Sequence, residues 1–124
     1  MNPDEFRREM EAYRQAVDDQ AKALKDSYYA LDRQRARYQR LDATERVLAN
    51  ELLAEWVLSG DEAKRFDALA LIDDFRIVSA TPALRQLADR LESSSEPGAP
   101  YEWQKVNRLI GELAKTPDDS PLDQ

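Results

Sequence analysis

Two acidic pairs, an arginine cluster threaded with tyrosines, and an aromatic pair behind a loop are the residues of this chain from which chemistry could be built. Asp73 and Asp74 stand at the end of an apolar run, where a carboxylate pair could ligate Mg²⁺. Acidic side chains near a helix C-terminus are mildly unfavourable, which hints at a use. The plainer reading is a solvated helix end, or an ion pair with Arg76 or Arg85. Glu51 and Glu55, four apart, share one helix face and could hold a cation between them. Arg33, Arg35, Arg37, Arg40 and Arg46, with Tyr28, Tyr29 and Tyr38 among them, combine positive charge with ring faces, a pattern suited to nucleic acid or phosphate. Asp32, Asp42 and Glu45 sit close by, so a solvated face of mixed charge explains the same residues. Tyr101 and Trp103 follow a loop; Tyr101 points away from its helix's apolar stripe, where an exposed ring could anchor a partner.

Composition removes several classes of function. There is no histidine and no cysteine. The commonest general base and transition-metal ligand are therefore missing, as are thiolates and disulfides. Serine, threonine or lysine nucleophiles would lack a histidine partner. A metal-dependent all-α nucleotide hydrolase would pair E-x-x-E with a following E-x-x-D; Glu51 and Glu55 have the wrong spacing and no such second pair follows. No enzyme activity, cofactor or metal is expected. The net charge of −7 repels phosphate at long range, which weighs against nucleic acid as a partner. No stretch approaches the roughly 20 apolar residues needed to span a bilayer. No apolar run follows Met1, and a cytoplasmic location is the expectation.

The elements that would position these residues read as helices throughout. Glycine is scarce and 35% of residues are charged, a mix that suits solvated helices. A first helix is predicted from Pro3 or Asp4 to about Leu41, with no glycine or proline to interrupt it. Met10, Val17, Leu24, Leu31 and Tyr38 form one seam position in heptads. The other reads Phe6, Tyr13, Gln20, Ser27, Gln34 and Leu41, and is polar in its middle. So narrow a seam could dock on its own domain, or pair as a coiled coil with a second copy of the chain. Asp42 and Glu45 predict a capping box opening a second helix over 43–59, with Val47, Leu48, Leu52, Leu53, Trp56 and Val57 on its apolar face. Gly60 would end it in the left-handed conformation, and Asp61 would cap a third helix reaching about Arg76. Ala68 to Ile72 are apolar on every side, which predicts burial between neighbours. A corner over 76–80 and the pair Thr81-Pro82 lead into a fourth helix to about Glu92, with Leu84, Leu87, Ala88 and Leu91 at i, i+3, i+4, i+7. The segment 93–100 is a loop by its Ser, Pro and Gly content. A fifth helix runs from Tyr101 to about Lys115, with Trp103, Val106, Leu109, Ile110 and Leu113 facing the core.

A shift of 40 residues pairs Arg65 with Lys105, Phe66 with Val106, Asp67 with Asn107 and Leu69 with Leu109. Arg65, Ala68 and Leu69, then Ala80, Pro82 and Leu84, then Leu87 and Leu91, resemble a HEAT-type repeat. Residues 105–113, with Gly111, resemble the first helix of a following one. The likeness covers about residues 61–115, and the loop 93–100 is longer than its usual turn. It implies stacked helix pairs that bind macromolecules through one face, and no active site.

Together these features predict an all-α protein: a long N-terminal helix over 1–41, a compact HEAT-like four-helix body over 42–115, and a disordered acidic tail over 116–124. The expected function is binding another protein, in the manner of an acidic immunity or inhibitor protein that occludes a basic partner. The alternative is a nucleic-acid accessory protein using the arginine-rich end of the first helix. Acidity is weighted towards residues 89–124, so the partner is expected near the 93–100 loop. Tyr101 would be its anchor, Glu96 and Glu102 its rim, and Asp73 and Asp74 an extension.

Overall fold

The computed structural model describes residues 2–24 and 29–115, so the expected tail over 116–124 lies outside the described residues. The protein is all-α. Its elements are α1 (Pro3–Leu24), α2 (Tyr29–Gln39), α3 (Ala43–Val57), α4 (Glu62–Phe75), a 3₁₀ turn (Val78–Ala80), α5 (Thr81–Glu92) and α6 (Ala99–Ala114). By its internal contacts the chain divides into two units, Met1–Leu52 and Leu53–Gln124, the division falling within α3.

In the first unit the single long helix is not what forms. Tyr29 donates to Gln20 Oε1 at 3.0 Å, Tyr13 donates to the Arg33 carbonyl at 3.3 Å, and Arg37 reaches Glu9 at 4.0 Å. As the partner on α1 moves back along the sequence, the partner on α2 moves forward, so α1 and α2 form an antiparallel hairpin. In one straight helix Glu9 and Arg37 would stand about 40 Å apart. The reason lies in the seam. Alone, the stripe of Phe6, Met10 and Val17 would face water; folded back, the chain buries it together with Leu31 and Tyr38. The seam thus needs no second copy to cover it. Leu24, also assigned to it, has no described side chain.

Asp42 and Glu45 form the expected capping box at the start of α3. The Glu45 amide donates to Asp42 Oδ1 at 2.8 Å, and the Asp42 amide to Glu45 Oε1 at 3.0 Å. Of the expected apolar face, Leu52, Leu53, Trp56 and Val57 are buried and Leu48 half-buried, but Val47 is exposed. Tyr38 on α2 donates to Asn50 Oδ1 on α3 at 2.7 Å, and the Arg46 guanidinium lies 5.2 Å from the Tyr38 ring centre.

In the second unit Asp61 caps α4 as its position predicts, accepting from the amides of Ala63 and Lys64. Gly60 does not take the left-handed conformation. The α3 end closes instead in tight turns, the Leu58 and Ser59 amides donating to the Glu55 and Trp56 carbonyls. A left-handed residue stands one helix later, at Arg76, φ 51° and ψ 55°, which ends α4. The Arg76 and Ile77 amides both bond to the Ile72 carbonyl, and Ile77 is buried, so the reversal is anchored on both sides. The helix α4 is also not buried all round. Ala68, Leu71 and Ile72 are buried, whereas Leu69 and Ala70 are only half-buried. Thr81 donates to the Val78 carbonyl at 2.8 Å, and Pro82 sits in the first turn of α5.

Leu84, Leu87 and Ala88 are buried and Leu91 half-buried, as their spacing predicts. The tightest helix pairing of this unit is α5 with α6, across the loop, rather than α4 with α5. The helix α6 starts two residues earlier than expected, with Pro100 in its first turn and Ala99 buried. Trp103 is half-buried rather than core, while Val106, Leu109 and Leu113 are buried.

Two measurements check this account. Leu87→Ala empties a site that is only 4% exposed, and should cost about 2–5 kcal/mol in urea denaturation. The second concerns Tyr38, whose phenol pKa is raised by burial above its ordinary value, against the opposing pull of the Arg46 charge and the Asn50 hydrogen bond. A proton held more tightly in the folded chain stabilises it below pH about 10, and that contribution is lost as pH climbs through the raised value. Denaturation midpoints should therefore fall more steeply above pH about 10 in the parent than in Tyr38→Phe.

Candidate functional site

The sites are built in the second unit by an ion pair that reaches between helices. Arg65 on α4 donates from Nε to Glu102 Oε2 at 2.7 Å and from Nη2 to Oε1 at 3.2 Å, a two-pronged fork onto α6. Its Nη1 donates to the Ser59 carbonyl at 3.3 Å. The side chains are 16% and 25% exposed, so this pair is shielded from water far more than an ordinary surface bridge. The hydrogen bonds with Glu102 raise the Arg65 pKa still further above its usual range, against a smaller opposing effect of burial.

A second bridge lies at the far end of the same helices. The left-handed Arg76 donates to Asp73 Oδ1 at 3.3 Å and to Glu112 Oε1 at 3.2 Å. The start of α4 is therefore tied to the start of α6 and its end to the end, so the two helices run parallel. Between them opens a groove of ≈ 310 Å³ whose apolar lining includes Phe66, Leu69 and Ala70 from α4 and Val106 and Leu109 from α6. Asp73, Lys105, Arg108 and Glu112 supply its charge. Lys105 Nζ stands 5.8 Å from the Phe66 ring centre and 5.5 Å from that of Tyr101. Both rings are largely in water, Phe66 at 57% and Tyr101 at 69% exposure.

Of the residues expected to meet a partner, Tyr101 is exposed as its position predicts. Glu102 is not a free rim carboxylate; it is the inner half of the fork to Arg65. Glu96 is exposed and shares with Glu102 a separate hollow of ≈ 610 Å³, bounded also by Arg65, Leu87 and Arg90. Asp73 lines the groove and is bound to Arg76, while Asp74 is exposed. Of the five residues, Asp73 lines the groove, Glu96 and Glu102 the separate hollow, and Tyr101 and Asp74 line neither. Phe66, Lys105 and Arg108 were absent from the expected set. Phase could have found Phe66: it lies opposite Ala68, Leu71 and Ile72 at 100° per residue, so an aromatic there faces outward.

Three arginines of the first unit's cluster lie over its own tyrosines. Arg33 lies 5.8 Å from the Tyr29 ring centre and Arg37 4.9 Å from that of Tyr13, beside the Arg46 contact with Tyr38. Arg35 pairs with Asp32 at 2.8 Å. One guanidinium thus lies over each of Tyr13, Tyr29 and Tyr38, while Tyr28 lies outside the described residues. Glu51 and Glu55 are exposed on α3, and among the described residues no three acidic side chains gather in a way that could hold a metal. No helix among the described residues is long and apolar enough to cross a membrane.

No family model, no curated protein and no solved structure matches this chain.

The fork makes a direct prediction. Glu102→Gln leaves the Arg65 charge half-buried with a weaker acceptor and should cost about 1–3 kcal/mol in urea denaturation. A double-mutant cycle with Arg65→Met should show coupling of at least about 0.5 kcal/mol. Additive effects would mean the two side chains act independently.

Proposed function

We propose that this chain is a non-enzymatic protein-interaction module that docks a partner along the groove between α4 and α6. The observation that carries the reading is the pair of exposed rings, Phe66 and Tyr101, brought together around Lys105 beside an open apolar groove. Scattered apolar side chains on a surface are ordinary, but adjoining aromatics beside a concave apolar floor are what interface anchors look like. The HEAT-type likeness supports the same reading: first helices of successive repeats lie parallel in such stacks, as α4 and α6 do. A partner laid along the groove would cover the Leu69 and Ala70 side of α4, which the chain itself leaves half-open. The lack of histidine and cysteine supports binding without catalysis.

The narrower form of this proposal, an inhibitor-type protein drawing in a basic partner, has only the long-range net charge of −7 behind it, which does not describe the charges at the groove itself. The reading as a nucleic-acid accessory protein draws less support, because the tyrosines of the arginine cluster already carry guanidinium groups on their faces.

The test uses Phe66→Ser with Tyr101→Ser in the full chain. Both rings are exposed, so thermal melting should be nearly unchanged, and affinity capture from the source cell should lose its specific partner by about tenfold or more. Undiminished capture by the double variant would place the contact elsewhere.

A further inference from the structure

We infer that the groove takes an acidic, amphipathic segment of the partner, one that carries carboxylates beside apolar anchors. This rests on the proposed docking along α4 and α6 and adds the sign of the partner's charge. The chain as a whole is acidic, yet the charge around the groove is not. Glu102 is neutralised by its fork to Arg65, and Asp73 and Glu112 share the one Arg76. The cations on the α6 wall are not so matched. Lys105 and Arg108 are exposed, line the groove, and form no ion pair among the described residues. Among the described residues the Lys105 ammonium lies near the Phe66 and Tyr101 rings, contacts that leave it able to meet an anion. They stand three residues apart, which places both on one side of the helix. Around the groove three cations, Arg76, Lys105 and Arg108, thus stand against two carboxylates, Asp73 and Glu112, although the net charge of the chain is −7.

A segment with aliphatic or aromatic side chains on one face would fill the floor at Leu69, Ala70 and Leu109. Carboxylates on its flank would then meet Lys105 and Arg108. A basic segment would bring like charge against both, and would have to compete with Arg65 and Arg76 for the groove's carboxylates. Like-charge juxtaposition of this kind excludes partners more strongly than the matched pair attracts them.

The experiment is a peptide-display selection from a random library on the immobilised full chain. The enriched peptides are then synthesised and titrated by fluorescence anisotropy. Enrichment of net-negative peptides with one or more bulky apolar residues is expected. Lys105→Glu with Arg108→Glu should shift enrichment towards basic peptides and weaken the acidic ones by about tenfold or more, with the loss smaller at high salt. Enrichment of basic peptides on the parent chain, or of none, overturns the inference. Peptides that need Phe66 and Tyr101 but ignore the double charge reversal overturn the acidic partner while leaving the groove reading in place. Acidic peptides indifferent to Phe66→Ser and Tyr101→Ser overturn both. Two other occupants are checked alongside. If peptides bind only to a chain ending at Lys115, the groove belongs to the chain's own residues 116–124 and the inference falls. It falls equally if light scattering shows a dimer that the charge reversal dissociates.

Discussion

The fork from Arg65 to Glu102 is the constraint on which the second unit turns. Two helices that are not consecutive in sequence have no short loop to set their register. Here a planar guanidinium with two oxygens to satisfy does it, because both bonds form only when α4 and α6 are side by side and correctly slid. Everything around the groove follows from that register. Phe66 comes level with Lys105, Lys105 comes between the two rings, and Arg76 at the other end reaches Glu112. Low exposure of the pair raises its directional value, since removing either partner leaves a charge with little water to replace it.

The same bridges explain why net charge is a poor guide to this surface. Charge acts at long range as a sum, but at contact distance only the groups without a local counter-charge are available to a ligand. In the first unit arginines are turned towards tyrosine rings. In the second, the glutamate and aspartate side chains beside the groove are turned towards arginines. What is left over is set by tertiary packing, and it can differ in sign from the total.

Much of the fold was legible because it is written in local rules. The capping box of Asp42 and Glu45, the Asp61 cap, Pro82 in a first turn and the stripe of Leu84, Leu87 and Ala88 depend on residues a few positions apart, and they form as their spacing says. The hairpin of α1 and α2 was not legible, because a heptad seam states what must be covered and not by which piece of chain. Arg76 was missed for a related reason. No glycine marks the end of α4, where the Ile72 carbonyl and two carboxylates hold an arginine in the left-handed conformation, at a backbone cost of about 1 kcal/mol. Of the candidate site, Tyr101 could be read from its phase, but Glu102 could not be separated from a free carboxylate. Its partner Arg65 is 37 residues away, beyond any helical periodicity.

The order of pairings has a kinetic consequence. The hairpins α1–α2 and α5–α6 join helices that follow one another, so short loops bring them together at small entropic cost and early in folding. The alignment of α4 with α6 is different, since it skips a helix and cannot close until α5 has been laid down. By chain entropy alone it closes at a greater cost than either hairpin. A groove held across that longer stretch by side-chain bridges could yield to a ligand at those bridges without breaking the hairpins behind it.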